Sequence, residues 1–385
     1  MTWESAVPDS SIESFSTTYF EARDKFLSAA ESADAQLERF TCPAAGPGGE
    51  ALHTDVARLG PDRSAKIVVA ISGTHGVEGF CGSGVQVDWL RSGCGQALPA
   101  DTAVLLIHAI NPYGFAWLRR VTQEGVDLNR NFVDPGRLPP ANPGYDEIAS
   151  DLLPSALEGP IAQAAQLRLQ AYRARVGELS FFRAVASGQY THPDGMFYGG
   201  QGPTWSNRTT HEIIDRHLRG CPDIAVVDFH TGLGPFGYGD PITAYEPDSP
   251  GSDRVRAFWG DSVTECEKGQ TLPRVPDGST HHGYLRALPE SRVTFATLEF
   301  GTYDRDVGRA ALRADHWLHK HGDPVGPDAL PIRQALRRQY YPDTADWKEA
   351  VLFRGHQVLR MALDGLNGRF AEHGRPVPVE QSRAA

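Results

Sequence analysis

The segment that decides the fold is Ile67-Val68-Val69-Ala70-Ile71-Ser72-Gly73-Thr74-His75-Gly76-Val77-Glu78-Gly79. Its first five residues form a short apolar run, which is typical of a strand buried on both faces. Small residues then turn the chain and present His75 and Glu78 three positions apart. Imidazole nitrogen and carboxylate oxygen are ligand atoms that zinc accepts. The segment therefore predicts a buried strand that ends in a metal-binding loop.

A second apolar run, residues 224–229, also ends on a histidine, His230. Ligands of open α/β sheets bind beyond the carboxyl ends of the strands, so we expect the two strand ends to meet. His75, Glu78 and His230 would then supply three ligands and leave a fourth position open for water. That arrangement is typical of a hydrolytic zinc site. Taken alone, each histidine is better explained as a hydrogen-bonded structural residue than as a metal ligand.

Two further segments carry polar groups that suit a catalytic site. Residues 127–132 place the amide of Asn129 beside the guanidinium of Arg130. A guanidinium binds a carboxylate through two parallel hydrogen bonds, so Arg130 suits recognition of a substrate carboxylate, with a surface salt bridge as the alternative. A third apolar run, Val293 to Leu298, ends at Glu299. A carboxylate placed there suits general base catalysis, with a surface carboxylate as the alternative.

Apolar runs alternate with helical patterns along the whole chain. The predicted strands are Lys66 to Ile71, Ala103 to Ile110, Ile224 to Phe229 and Val293 to Leu298. The predicted helices are about Ser10 to Glu38, Phe80 to Arg91, about Asp146 to Glu178, Arg208 to Arg219, Ser252 to Lys268, Asp306 to His319 and two more that end near Leu366, and residues 231–240 are predicted to be a Gly-rich loop. This alternation predicts an α/β fold with three layers, α/β/α, around a central mixed, mostly parallel sheet.

The domain organisation is predicted to be simple. We expect one catalytic domain over residues 1–371, with the motif-bearing core at about 45–330 and helical additions at both ends. Residues 372–385 are expected to form a disordered tail.

Composition excludes several classes of protein. Hydrophobic residues make up 40% and charged residues 22%, which is ordinary for a soluble globular protein. The net charge of -11 and the lack of a dense Lys/Arg cluster argue against a nucleic-acid partner. No apolar run approaches the roughly 18 residues of a membrane span, and the N-terminus lacks the pattern of a signal peptide. Five scattered cysteines suit reduced thiols, so we expect a cytoplasmic enzyme.

The motifs together resemble a known family. In order, they are Gly-x-His-Gly-x-Glu-Gly, Gly-Val-Asp-Leu-Asn-Arg-Asn-Phe, Asp-Phe-His-Thr-Gly and a strand-end Glu, between about residues 66 and 303. This series resembles the zinc carboxypeptidase superfamily, and a domain-of-unknown-function group within it in particular. It is closer to the murein-peptide amidase and succinylglutamate desuccinylase/aspartoacylase branch than to digestive carboxypeptidases. The resemblance implies a zinc-carboxypeptidase-like fold and one zinc ion per chain, held by His75, Glu78 and His230.

The resemblance also implies roles for other residues. Asn129 and Arg130 match the pair that binds the free carboxylate of the substrate, and Glu299 matches the general base. Arg120 matches an arginine that polarises the scissile carbonyl, with Arg119 as the competing choice. The family also has a mobile active-site tyrosine, for which three residues are open candidates: Tyr245, Tyr284 and Tyr303.

Residues and resemblance together predict a zinc-dependent hydrolase that cleaves an amide or peptide bond next to a free carboxylate. The alternative is an N-acyl amino acid deacylase of the aspartoacylase or succinylglutamate desuccinylase type, and a more remote one is a catalytically inactive zinc-binding protein. The expected substrate is a small peptide or an N-acyl amino acid. The side chain preferred beside the scissile bond and the oligomeric state stay open. The pair His281-His282 is interpreted as surface residues, with a role in a substrate loop as the alternative.

Overall fold

The computed structural model describes residues 12–266 and 277–368, in which eight strands form one sheet. The strands are β1 (Gln36–Ala45), β2 (Ala51–Leu59), β3 (Lys66–Ile71), β4 (Thr102–His108), β5 (Asp223–Phe236), β6 (Gly239–Thr243), β7 (Thr264–Glu265) and β8 (Arg292–Gly301). Their order in the sheet is β1-β2-β4-β3-β5-β8-β6-β7. The four central strands, β4, β3, β5 and β8, are parallel to one another, whereas β2 and β6 pair with them in antiparallel fashion.

Helices cover both faces of this sheet. They are α1 (Tyr19–Ser32), α2 (Gly79–Arg91), α3 (Pro112–Ala116), α4 (Pro143–Leu152), α5 (Gly159–Val176), α6 (Glu178–Ala186), α7 (Trp205–His217), α8 (Pro250–Trp259), α9 (Thr280–Ala287), α10 (Arg305–Lys320), α11 (Ala329–Tyr340) and α12 (Ala345–Leu366). Within the described residues, no helix has both the length and the apolar character that crossing a membrane requires.

Strand β3 shows why the sheet must be covered on both sides. Its alternate residues Val68 and Ala70 belong to a core shared with α1, α2, α8 and α12, whereas Ile67, Val69 and Ile71 belong to a second core that includes residues of α7 and α9. Successive side chains of a strand point to opposite faces, so a continuously apolar strand needs a helical layer on each side. The predicted α/β/α arrangement around a mixed, mostly parallel sheet is confirmed.

The N-terminal helix prediction is wrong at its carboxyl end. Helix α1 ends at Ser32, Asp34 adopts a left-handed backbone with φ of 54°, and β1 already begins at Gln36. The side chains of β1 are mostly exposed, so the strand has only a weak apolar pattern, and its polar residues resemble the exposed face of a helix. The first part of that prediction, residues 10–11, lies outside the described residues, as does the predicted tail at 372–385.

Three other boundaries differ from prediction. The helix predicted at residues 146–178 is broken between α4 and α5, because Pro160 can occupy only the first turn of a helix. Helix α8 stops at Trp259 because Gly260 turns the chain with φ of 80°, and part of the predicted helix over residues 252–268 forms β7. The predicted loop at residues 231–240 is largely the end of β5 and the start of β6.

Candidate metal centre and substrate cavity

The loop after β3 is locked in place by close backbone contacts. The Gly76 and Val77 N–H groups donate to the Arg120 and Arg119 carbonyls at 3.1 and 2.8 Å. A Cβ atom on Gly76 would lie 2.0 Å from the carbonyl carbon of Gly114, so only glycine permits this approach. The side chains on either side of Gly76 are therefore held in fixed positions.

His75, Glu78 and His230 come together as predicted, and all three are buried. His75 Nδ1 lies 3.0 Å from Glu78 Oε1 and 3.1 Å from His230 Nδ1. His230 Nδ1 lies 3.4 Å from Glu78 Oε2. Because three ligand-type atoms converge on one point, this group could hold a metal ion.

Two aspartates hold the outer sides of the histidine rings. Asp127 Oδ1 lies 3.2 Å from His75 Nε2, and Asp228 Oδ2 lies 3.0 Å from His230 Nε2. Such carboxylates fix the imidazole tautomer so that the other ring nitrogen, here Nδ1, keeps its lone pair for a metal. Burial would raise the pKa of Asp127, but Arg120 and His75 outweigh it and hold this pKa well below the ordinary value. Asp127 is therefore suited to accept a hydrogen bond from the N–H group of the His75 ring.

Sequence reasoning gave neither aspartate a role. Asp228 precedes His230 by two positions on β5, so strand alternation places both on the same face, which is a usable signal. Asp127 begins the Asp-Leu-Asn-Arg motif, but its distance along the chain from His75 gives no hint of their contact.

Of the two neighbouring arginines, Arg120 is the one that reaches the metal group, the name used for the three candidate ligands His75, Glu78 and His230. Its Nη1 donates to Glu78 Oε1 at 3.1 Å and its Nε to Asp127 Oδ2 at 3.0 Å. Arg119 turns away and pairs with the buried carboxylate of Asp315 at 3.1 Å. Arg120 lines the adjoining cavity and Arg119 does not. The role of Arg120 at a scissile carbonyl stays a prediction.

A cavity of about 170 Å³ adjoins the metal group and is lined by Asn129, Arg130 and Glu299 as well. All seven residues that the sequence predicted for the site therefore face one space. Typical ligand pockets have volumes of roughly 300–1,000 Å³, so this cavity is smaller than typical and suits a small ligand.

Arg130 is a buried cation that makes no ion pair with the described residues. Its Nη1 and Nη2 donate to the carbonyls of Asn129 and Ala186 at 2.7 and 2.8 Å, and its Nε has no partner among the described residues. Burial lowers the pKa of Arg130 because its charge is poorly solvated. An anion that enters the cavity would relieve this cost.

Asn129 is oriented by the start of α9. Its Oδ1 accepts the backbone N–H of Thr280 at 3.0 Å and lies 3.2 Å from the Thr280 hydroxyl, whose single proton is also 3.0 Å from Asp228 Oδ2 measured between the oxygens. The amide nitrogen makes no hydrogen bond to the described residues and is available as a donor beside Arg130.

Glu299 is a buried carboxyl at the end of β8. Its Oε1 accepts the Leu233 N–H at 3.2 Å. Burial, and next the charge of Glu78, raise the pKa of Glu299 to about 8. A carboxyl with a raised pKa in a cleft is typical of proton-transferring groups, but the general base role stays a prediction.

None of the three candidate tyrosines lines the cavity. Tyr245 donates its hydroxyl to the Val293 carbonyl at 2.6 Å, Tyr284 is buried in the second core, and Tyr303 is 46% exposed. Tyr340, at the end of α11, lines the cavity instead, and burial raises its pKa to about 12. No sequence motif surrounds Tyr340, so only the packing of α11 reveals it.

The interpretation of His281 as a surface residue is wrong. His281 lies in the first turn of α9, is 4% exposed and lines the cavity, whereas His282 is only partly buried. The first turn of α9 packs against the sheet, so adjacent residues of this helix have different environments.

Fold and site together define an α/β protein with a buried His/Glu/His group, suited to a metal ion, at the carboxyl edge of a mostly parallel sheet. The chain belongs to the family described as protein of unknown function (DUF2817), whose model matches residues 15–354. A comparison with curated protein sequences finds no match.

Three solved structures illustrate what the chain is similar to. Carboxypeptidase A from Helicoverpa armigera is 13% identical, with 90% of this chain and 73% of that chain covered and a TM-score of 0.47. Thrombin-activatable fibrinolysis inhibitor is 12% identical, with 93% and 78% covered and a TM-score of 0.46. An aspartoacylase family protein from Mesorhizobium loti is 17% identical, with 75% and 67% covered and a TM-score of 0.35.

Proposed function

We propose that this protein is a zinc-dependent hydrolase that cleaves an amide or peptide bond next to a free carboxylate, in the manner of a metallocarboxypeptidase. The observation that carries the proposal is that the His75/Glu78/His230 group shares its cavity with a buried carboxyl, Glu299, and with the buried guanidinium of Arg130. One region thus combines a metal group, a candidate base and an anion-binding group.

The donor set fits a cation. Asp127 and Asp228 lie at the outer ring nitrogens of His75 and His230, so both Nδ1 atoms, 3.1 Å apart, can turn their lone pairs to a common ligand position. A cation bound there would accept both lone pairs. Two imidazoles and one carboxylate with an open position suit zinc better than harder ions. When bound in such a site, zinc acts as a Lewis acid, which lowers the pKa of water from about 15.7 to about 7 and polarises a carbonyl oxygen.

The residues around the metal group have complementary tasks. Glu299 is the proposed base: with the charge of a bound cation nearby to offset the burial that raises its pKa, its carboxylate would accept a proton from the attacking water and deliver it to the leaving nitrogen. Arg120 places a guanidinium beside the metal group, where it stabilises the negative charge that develops on the carbonyl oxygen. Arg130 and the amide nitrogen of Asn129 hold the substrate carboxylate and so fix the scissile bond near Glu299.

The size and charge of the cavity favour a small substrate. A short peptide or an N-acyl amino acid with a free carboxylate suits about 170 Å³ and an unpaired Arg130 better than a folded protein does. We do not expect nucleic acid or a membrane as a partner. A reducing, cytoplasmic location is part of the proposal, supported by the thiols of Cys42, Cys81, Cys94 and Cys221, which form no disulfide.

The test combines metal analysis with a hydrolysis screen. Wild type, His75→Ala and a control, His192→Ala, are reconstituted with zinc, and bound metal is measured by mass spectrometry. His192 pairs with Asp146, both side chains are partly exposed, and His192 does not line the cavity. We expect about one zinc per chain in wild type and control, and its loss in His75→Ala. The screen compares short peptides with free and amidated C-termini and N-acyl amino acids.

Each outcome of the screen has a separate meaning. Cleavage that needs the free carboxylate and disappears in His75→Ala supports the proposal. Cleavage confined to N-acyl amino acids would favour the deacylase. Zinc without any cleavage would favour an inactive zinc-binding protein, and absence of zinc after reconstitution would overturn the central claim.

A further inference from the structure

His281 is a buried polar side chain for which the proposed chemistry has no use. Both ring nitrogens are buried, and neither has a hydrogen-bond partner among the described residues. Its ring packs edge-on against Tyr245, with centroids 4.5 Å apart, and against Phe295 at 5.3 Å. Buried nitrogen atoms without partners are costly, and this ring lines the substrate cavity. A ligand in the cavity is therefore the natural partner.

The sheet indicates where in the cavity this ring lies. Phe295, Thr297 and Glu299 alternate along β8 and share one face, and Ile242 of β6 pairs with Thr297. A strand rises roughly 3.3 Å per residue, so Thr297 lies about 7 Å and Phe295 about 13 Å from Glu299 along β8. Because His281 packs on Phe295 and also lines the cavity, we infer that it lies towards the Phe295 end of β8, away from Glu299.

His281 is also tied to the carboxylate-binding pair. The backbone N–H of the preceding residue, Thr280, donates to Asn129 Oδ1 at 3.0 Å, and Asn129 adjoins Arg130. An amino acid whose carboxylate lies at Arg130 and whose backbone nitrogen lies near Glu299 would direct its side chain along β8 towards His281. Among the uncharged polar side chains, that of glutamine reaches furthest along this path.

None of the contacts that His281 makes with the described residues involves a carboxylate. Its ring neighbours are Tyr245, His282 and Phe295. Burial, and next His282, lower the pKa of His281 to about 3, so the ring is neutral at pH 7. A neutral imidazole offers one N–H donor and one acceptor. A carboxamide or a hydroxyl can both donate and accept, so it can pair with either ring nitrogen of His281. An aliphatic side chain would leave both nitrogens unpaired, and a carboxylate has no hydrogen to donate to the acceptor nitrogen.

We propose that His281 is a specificity-determining residue that receives the uncharged polar side chain, a carboxamide or a hydroxyl, of the amino acid whose carboxylate Arg130 holds. This role rests on the function proposed above and names its substrate class. The substrate is then a small amide whose carboxylate-bearing residue resembles glutamine, asparagine or serine.

The test measures preference and binding separately. Wild type, His281→Leu, His281→Gln and the control His282→Gln, each loaded with zinc, are assayed with N-acylated dipeptides that end in glutamine, asparagine, serine, leucine or glutamate. Binding of free L-glutamine and L-leucine to the same proteins is measured by calorimetry. His281→Leu keeps the volume of the side chain and removes its hydrogen bonds, whereas His281→Gln keeps a donor and an acceptor.

We expect wild type to prefer glutamine, asparagine or serine to leucine in kcat/KM, and His281→Leu to lower kcat/KM for the polar substrate about ten- to a hundredfold, because an unpaired buried polar group discriminates strongly. Leucine turnover should stay equal or rise, His281→Gln should keep part of the preference, and His282→Gln should keep all of it. An unchanged preference in His281→Leu, or a wild-type preference for leucine or glutamate, would overturn the role of His281.

If no substrate is cleaved, the calorimetry decides. Glutamine binding that His281→Leu abolishes would support this role even though the hydrolase function fails. Equal binding of glutamine and leucine to wild type would overturn it.

Discussion

His230 and Glu299 are direct neighbours in the parallel pairing of β5 with β8. Neighbouring strands of a sheet lie about 4.8 Å apart, so a metal-ligand candidate and the candidate base are held side by side by backbone hydrogen bonds. A slip of the register by one residue would turn Glu299 to the opposite face. The spacing of these two groups is therefore a property of the sheet and does not depend on a mobile loop.

Glu299→Gln should separate metal binding from catalysis. Glutamine has the same shape and can still accept the Leu233 N–H, but it cannot take a proton from water. We expect zinc content to stay at the wild-type level and kcat to fall about 100- to 10,000-fold. Mass spectrometry and steady-state kinetics on one preparation check this. Wild-type turnover in Glu299→Gln would show that another group is the base.

Asp228→Asn should weaken metal binding although Asp228 is not a ligand. The carboxylate lies 3.0 Å from the outer ring nitrogen of His230. It also accepts hydrogen bonds from the hydroxyls of Thr74 and Thr280, at 2.8 and 3.0 Å. Loss of such an outer partner typically lowers metal affinity about 10- to 100-fold. We expect a decrease of about the same size in Asp228→Asn. Zinc affinity is measured by competition with a chelator.

The matched control for this variant is Asp223→Asn. Asp223 lies at the opposite end of β5 and pairs with Arg292. Its zinc affinity should equal that of wild type. Equal affinities in both variants would mean that Asp228 does not support the metal group.

Arg120 and Arg119 should give different phenotypes although they are adjacent and both buried. Arg120→Lys keeps a charge beside Glu78 and Asp127 but loses the planar guanidinium, so we expect kcat to fall about 100- to 1,000-fold with little change in KM. Arg119→Gln removes the guanidinium bound to the buried carboxylate of Asp315 and leaves His319 Nε2 at 3.9 Å as the remaining ion-pair contact, which should lower the free energy of unfolding by about 3–5 kcal/mol. Kinetics and urea denaturation of both variants measure these effects. The opposite result, a catalytic defect confined to Arg119→Gln, would assign the catalytic arginine to position 119.

The central part of the fold could be predicted because its strands are apolar on both faces. Residues 67–71 and 224–229 have no other stable environment than a covered parallel sheet. Strands β1 and β2 lie beyond β4 at one side of the sheet, and the side chains of β1 are mostly exposed. Their alternation is therefore weak, and β1 was mistaken for a helix end. The interruption at Pro160 was readable from the sequence and was overlooked.

The candidate site was predictable to the extent that its residues follow strands. His75 and Glu78 follow β3, whereas His230 and Glu299 lie in the carboxyl-terminal halves of β5 and β8, and the carboxyl ends of parallel strands share one edge. Tyr340 and His281 reach the same cavity from helices. Because helix orientation depends on tertiary packing, no local pattern distinguishes these two residues from surface side chains.

His108 should make the stability of the protein fall in mild acid. The ring is fully buried, stacks on Phe26 at 4.6 Å and contacts the Ser83 hydroxyl at 2.9 Å. Burial lowers its pKa to about 4, whereas an unfolded histidine titrates near 6.5, so the unfolded chain binds the extra proton first as the pH falls. This loss in the free energy of unfolding is absent above pH 6.5, grows as the pH falls towards 4 and reaches about 3 kcal/mol.

His108→Gln should therefore lose less stability than wild type between pH 7 and pH 4 in urea denaturation, whereas a His192→Gln control should follow wild type. Parallel pH profiles of His108→Gln and wild type would show that this ring is charged or solvated in the folded protein.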